Sequence, residues 1–160
     1  MLAAPVTAYV ALGSNLGDRE ANIRSAVLLL DELEDVAVKR ISTLFENPAV
    51  GGPAGAPDFL NASCAIETTL TARELLHRML GVEHSMGRQR REKWAPREID
   101  LDLLLYGDAV INEPGLVVPH PLMHQRVFVL KPLAEIAPRA IHPILKINIG
   151  DLLENLVRAV

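Results

Sequence analysis

Asp100 and Asp102 head an apolar run in EIDLDLLLYG, residues 98–107. Along an extended strand positions i and i+2 share a face, so both carboxylates project to the same side. Like charges a few ångströms apart repel, and neither gains from burial unless a cation sits between them. Spacing alone leaves two readings open: a solvated strand end, or a site for a divalent cation. Immediately upstream, RQRREKWAPR at 88–97 holds Arg88, Arg90, Arg91, Lys93 and Arg97 against Glu92. That is a local +4 in a chain whose formal charge is −4, and it predicts an anionic ligand. A carboxylate pair suits Mg²⁺, which takes oxygen ligands and keeps waters and substrate phosphates in its shell. Arginine forks match phosphate oxygens. Two acids for metal beside several cations for a polyphosphate are the parts needed for phosphoryl transfer. Trp94, inside the basic window, adds a flat apolar surface suited to a ring.

Other chemistries find less support. GSNLG at 13–17 lacks both the GxxxxGK[ST] and the GxGxxG spacing and reads as a tight turn before a helix. His120 and His124 are four apart, but His120 precedes Pro121 and is expected outside the helix. With no HExxH glutamate, zinc is not indicated. His77 and His84 need no more than surface or core-edge roles. No GxSxG nucleophile is present, and the single cysteine, Cys64, sits in an apolar stretch as a buried thiol without a base partner.

These residues must be positioned by one domain, 1–160, since the length and the 49% hydrophobic, 22% charged composition are those of one globular unit. No apolar run approaches the roughly 20 residues of a membrane span. The apolar start has no Lys or Arg and carries Pro5, unlike a secretory signal. A cytoplasmic protein is expected. Strands are expected at 7–13, 36–47, 59–68 and over the aspartate segment. Helices are expected within 14–33, where Ile23, Ala26, Val27 and Leu30 are helically spaced, and at 71–87, where Thr71 and Glu74 form a capping box. A Pro- and Gly-rich loop fills 47–58, a short helix follows Pro121, and a terminal helix closes the chain. The order β-α-β, β-α-β predicts an α+β ferredoxin-like layer, an antiparallel sheet with helices on one face and C-terminal additions.

RREKWAPREIDLDLLLYG followed by VPHPLMHQRVFVLKPLAEIAP resembles the 6-hydroxymethyl-7,8-dihydropterin pyrophosphokinases of folate biosynthesis, and YVALGSNLGD and PDFLNA match the same family. The blocks run in order across nearly the whole chain, and WxPRxxDLDxxxxG is highly specific. The resemblance implies the ferredoxin-like fold, ATP as donor, and transfer of a diphosphate to the pterin hydroxymethyl group with release of AMP. It implies Asp100 and Asp102 as ligands of two Mg²⁺ ions. Arg88 and Arg97 would bind ATP and support transfer, with Glu83, His120 and Arg126 also at ATP-contacting positions. For the pterin it implies Asn61 as the amide that reads the hydrogen-bonding edge and Phe128 as an aromatic wall. Trp94 would be a lid residue, with Asn47, Pro48, Val50 and Phe59 at other pocket positions. The partners expected are these two small molecules, with no nucleic acid, no membrane and a monomeric chain. A nucleic-acid module stacking bases on the basic Trp94 loop would leave the aspartate pair unexplained. Two departures stand out. The basic loop is one residue shorter than in some relatives, with Lys93 where they carry an arginine fork. Pro121 replaces an aromatic that some relatives have after the histidine.

The single tryptophan gives a direct measurement. In the presence of a non-hydrolysable ATP analogue, Mg²⁺ and the pterin together, Trp94 emission is expected to shift to shorter wavelength or be quenched. Leaving out Mg²⁺ is expected to blunt the response. An unchanged spectrum with binding independently verified would remove Trp94 from the closed site.

Overall fold

The computed structural model describes residues 4–47, 58–87 and 98–159. Strand β1 (Val6–Ser14) leads into α1 (Arg19–Glu32), whose N-cap, Asp18, accepts a hydrogen bond from Ala21 N at 3.1 Å. Then come β2 (Val36–Ile41), β3 (Phe45–Asn47), β4 (Phe59–Thr68) and α2 (Ala72–Ser85). The expected capping box is present. Thr71 Oγ1 accepts from Glu74 N at 3.1 Å, and the Glu74 carboxylate accepts from Thr71 N at 2.8 Å. Strand β5 (Asp100–Tyr106) is followed by a hairpin of β6 (Ile111–Glu113) and β7 (Leu116–Val118). A 3₁₀ turn (Met123–Gln125), α3 (Val127–Ile136) and α4 (Ile149–Arg158) complete the order.

The main sheet runs β2-β4-β1-β5, all antiparallel, with β3 also paired to β4. This is the ferredoxin-like α+β arrangement. Alternation along the strands sends Val10, Leu12, Ala62, Cys64, Leu101 and Leu103 to one face, where they meet Ile23, Ala26 and Leu30 of α1 and Leu75, Met79 and Val82 of α2. Burial pushes the Cys64 thiol up to about 12, so it behaves as a small apolar core residue. The C-terminal additions cover part of the opposite face, where Ala65, Leu104, Leu105, Met123, Leu130, Leu133, Ile149 and Leu152 form a second core. A register shift of β5 against β1, between Tyr9 and Val10, gives β5 one extra residue there. Leu104 and Leu105 therefore both reach the second core, while Asp100 and Asp102 keep their phase.

Two local expectations are corrected, and one element is new. The segment 36–47 is two strands rather than one. Ser42 Oγ accepts from Ser63 N at 2.9 Å while Ser42 N donates to Ser63 O at 2.9 Å, so the side chain takes the acceptor's place in the ladder. Thr43 then turns away to Glu135, donating from N at 2.7 Å and from Oγ1 at 2.8 Å. Second, the helix expected directly after Pro121 begins only at Val127. Leu122 N donates to His120 Nδ1 at 3.2 Å, the next bonds close 3₁₀ turns, and Arg126 is extended at φ −123°. The β6–β7 hairpin has no counterpart in the sequence reading. Its turn is Pro114-Gly115, with Gly115 at φ +76°, the conformation that favours glycine at the third position of a type II turn.

Between α3 and α4, His142 is 4% exposed, and its Nδ1 accepts from Ile144 N at 3.3 Å and Leu145 N at 3.1 Å. Burial and then the nearby His124 hold its pKa below the ordinary imidazole value. The unfolded chain therefore binds this proton more readily than the folded one. The resulting stability loss sets in as pH falls below about 6.5. Melting curves from pH 7 to 5 are expected to show a smaller fall for His142→Asn, whose amide oxygen can accept the same two bonds. An equal fall in both proteins would overturn the assignment.

Candidate functional site

Opposed residues of antiparallel strands put their side chains on the same face. The register therefore lays out a row across four strands: Phe45 on β3, Asn61 on β4, Gly13 on β1 and Asp100 on β5. A second row sets Ser63, Ala11 and Asp102 side by side, and Asn47 lies opposite Phe59. Of the residues expected in the site, Asn47, Phe59, Asn61, Asp100 and Asp102 thus share one face. It is the face that the second core covers further along the strands. Asp100 is half-buried and Asp102 exposed, and their neighbours on β1, Gly13 and Ala11, are small.

Gly13 is the floor of this arrangement, and its sequence context marked it only as a strand end entering a tight turn. A Cβ built there would stand 3.0 Å from Asn61 Nδ2 and 3.5 Å from Phe59 Cδ1. The amide and the ring therefore lie across the space a side chain would occupy. Asn61 and Asp100 are two strand spacings apart, about 10 Å. Asn61 Oδ1 is buried and has no hydrogen-bond partner among the described residues. A buried amide oxygen left unpaired costs stability, and a donor on a bound ligand would satisfy it.

The remaining described candidates come from the C-terminal additions. His120 N donates to Leu104 O at 3.0 Å, tying the segment after β7 to the outer edge of β5. Because His120 Nδ1 accepts from Leu122 N, the neutral ring carries its proton on Nε2. Burial lowers the His120 pKa, the Asp102 carboxylate raises it and Arg126 lowers it, with a net shift downwards. His120 is thus electrostatically close to both Asp102 and Arg126. The Arg126 guanidinium lies 5.8 Å from the centroid of the Phe128 ring at the start of α3. Glu83 sits apart from this group, near the end of α2 and 3% exposed, and its carboxylate accepts from Leu101 N at 2.8 Å.

Arg19, in the first turn of α1, joins the ends of two strands that bear on the site. It bonds both oxygens of Glu46, at 2.7 and 3.1 Å, and Asp58 O at 2.8 Å. Those residues adjoin Asn47 and Phe59. Pro48, Val50, Arg88, Trp94 and Arg97, and the departure at Lys93, lie outside the described residues. Pro121 is exposed beside His120.

Asp100 and Asp102 supply hard oxygen donors, which suit a cation of the Mg²⁺ kind. Among the described residues no cluster of three or more His, Cys, Asp or Glu could hold a metal unaided. A cation held by this pair would need ligands from water or a substrate.

The family model described as 7,8-dihydro-6-hydroxymethylpterin-pyrophosphokinase matches residues 9–138. The chain is 46% identical over 129 residues to a Bacillus subtilis protein named 2-amino-4-hydroxy-6-hydroxymethyldihydropteridine pyrophosphokinase, covering 81% of this chain and 77% of that one. An Aquifex aeolicus protein of the same name is 45% identical over 138 residues, covering 86% and 84%. Among solved structures, a Plasmodium falciparum HPPK-DHPS shares the fold with a TM-score of 0.76 at 15% identity. That match spans 96% of this chain but only 46% of the longer one.

The unpaired Asn61 oxygen makes a stability measurement informative. Asn61→Ala is expected to melt no lower than the parent without ligand, since it removes a buried acceptor whose desolvation costs about 1–3 kcal/mol. A melting point lowered by several degrees would mean that the amide is paired in the free protein.

Proposed function

Because the chain belongs to the 7,8-dihydro-6-hydroxymethylpterin-pyrophosphokinase family, we propose that it transfers the terminal diphosphate of ATP to the hydroxymethyl group of 6-hydroxymethyl-7,8-dihydropterin. AMP is the second product, and the reaction serves folate biosynthesis. What supports the reading is the row Asn61–Gly13–Asp100, which sets a ring-reading amide and a metal-type carboxylate on one face.

In this mechanism Asn61 pairs with the pterin edge while Phe59 and Phe128 bound its ring, and Asn47, Pro48 and Val50 complete the pocket. Gly13, with no Cβ, lets the Asn61 amide and the Phe59 ring lie close over β1. Asp100 and Asp102 would hold Mg²⁺, two ions in the full complex. Bound there, the metal would neutralise the polyphosphate and the two acids together. His120 and Arg126 contact the nucleotide, as do Arg88 and Arg97, which rest on the resemblance alone, and Trp94 covers the site. The hydroxymethyl oxygen attacks the β phosphorus in line, its bond to the α–β bridging oxygen breaks, and the hydroxyl proton passes to solvent. No side chain is required as an obligatory base. Positioning and charge neutralisation carry the rate. A cytoplasmic monomer belongs to the same proposal. Among the described residues no helix is long and apolar enough to cross a membrane.

The experiment is AMP formation from ATP with the pterin alcohol present and absent. Activity is expected only with both substrates and Mg²⁺. Asp100→Asn and Asp102→Asn are each expected to cut turnover at least a hundredfold. Without metal the melting point of Asp102→Asn should be unchanged or raised, because one of two repelling charges is gone. Near-parental turnover in either variant would overturn the metal assignment.

A further inference from the structure

The acids of β5 are held by something besides the sheet. Among the described residues β5 pairs with β1 alone, so its outer edge offers backbone groups to no other strand there. Leu101 lies between Asp100 and Asp102. Its side chain is in the first core, and its N–H points outwards to the Glu83 carboxylate at 2.8 Å. Three residues on, the same edge is held again where Leu104 O accepts from His120 N at 3.0 Å. A carboxylate that is only 3% exposed is costly to bury, and an apolar residue would pack against Leu101 at lower cost. The acid is placed where it bonds the one peptide group that separates the two aspartates.

We propose that Glu83 is a positioning residue for the Asp100–Asp102 pair. Its bond to Leu101 N locks the backbone between the acids, so that both carboxylates keep one face and a fixed separation when a cation arrives. Its helix, α2, is seated in the first core by Leu75, Met79 and Val82, so the lock is referred to the rigid side of the sheet. Glu83 acts through the strand, from the side opposite the substrates. The inference rests on the metal role proposed for the pair, but the bond can be tested without it.

The test uses the full chain with Glu83→Gln, which retains an acceptor, and Glu83→Leu, which does not. Three quantities are read: hydrogen exchange at the Leu101 amide, Mn²⁺ affinity by electron paramagnetic resonance, and steady-state kinetics. In Glu83→Leu, Leu101 exchange is expected to quicken at least tenfold, Mn²⁺ affinity to fall several-fold, and kcat to fall at least tenfold with KM for the pterin little changed. Glu83→Gln is expected to restore the protection and most of kcat. If Glu83→Leu does not fold, protection and kcat in Glu83→Gln decide, and loss of kcat with protection intact would overturn the proposal. So would a Glu83→Leu protein with a loosened Leu101 amide but parental Mn²⁺ affinity and kcat, which would leave Glu83 a structural cap. Parental Mn²⁺ binding by Asp100→Asn and Asp102→Asn would instead overturn the metal role itself, while the exchange result at Leu101 stands.

Discussion

The antiparallel register of β1 between β4 and β5 is the constraint from which the site follows. It sets Gly13 opposite both Asn61 and Asp100 and Ala11 opposite both Ser63 and Asp102. A slip of one residue on either side would send an acid or the amide through to the helical core. The slip is opposed by the alternate residues, because Leu12, Ala62 and Leu101 are packed against α1 and α2. Apolar packing on one face therefore maintains polar alignment on the other.

The two cores divide the work. The first anchors the strands that bear the acids and the amide. The second supports the 3₁₀ turn and α3, which bring His120, Arg126 and Phe128 to the same face. Where the register of β5 shifts, the strand changes allegiance from one core to the other. Longer-range bonds tie the parts together. Arg40 Nη1 donates to Ile136 O at the end of α3 at 2.7 Å, and Glu135 receives Thr43 between β2 and β3. The Lys131 ammonium lies 5.2 Å from the centroid of the Phe45 ring.

What the sequence made legible was whatever depends on near neighbours. Alternation over 59–68, the spacing of Ile23, Ala26 and Leu30, the capping box at Thr71 and the aspartate pair are all short-range patterns, and each has its counterpart in the fold. What it hid depends on partners far along the chain. The break at Ser42 exists because Ser63 offers its amide there, and the late start of α3 follows from how His120 and Arg126 hold the chain. Gly13 read as punctuation, because its meaning lies in the Asn61 and Phe59 side chains that cross it. The bond from Leu101 N to Glu83 was hidden as well, because it depends on how α2 packs beneath β5. The candidate residues on β3, β4 and β5 came from the resemblance. Their layout needed the register.

The central place of β1 also bears on how the chain is made. Among these strands β1 leaves the ribosome first, and both long neighbours must find it, Tyr9 pairing with Ala65 and Leu105. At about 5–20 residues per second, synthesis of the stretch between β1 and the end of β5 takes on the order of ten seconds. Throughout that interval an apolar strand waits without its second partner. The nascent chain thus exposes an interior strand of the sheet through that interval, and the Asn61–Gly13–Asp100 row closes only when translation has passed the acids.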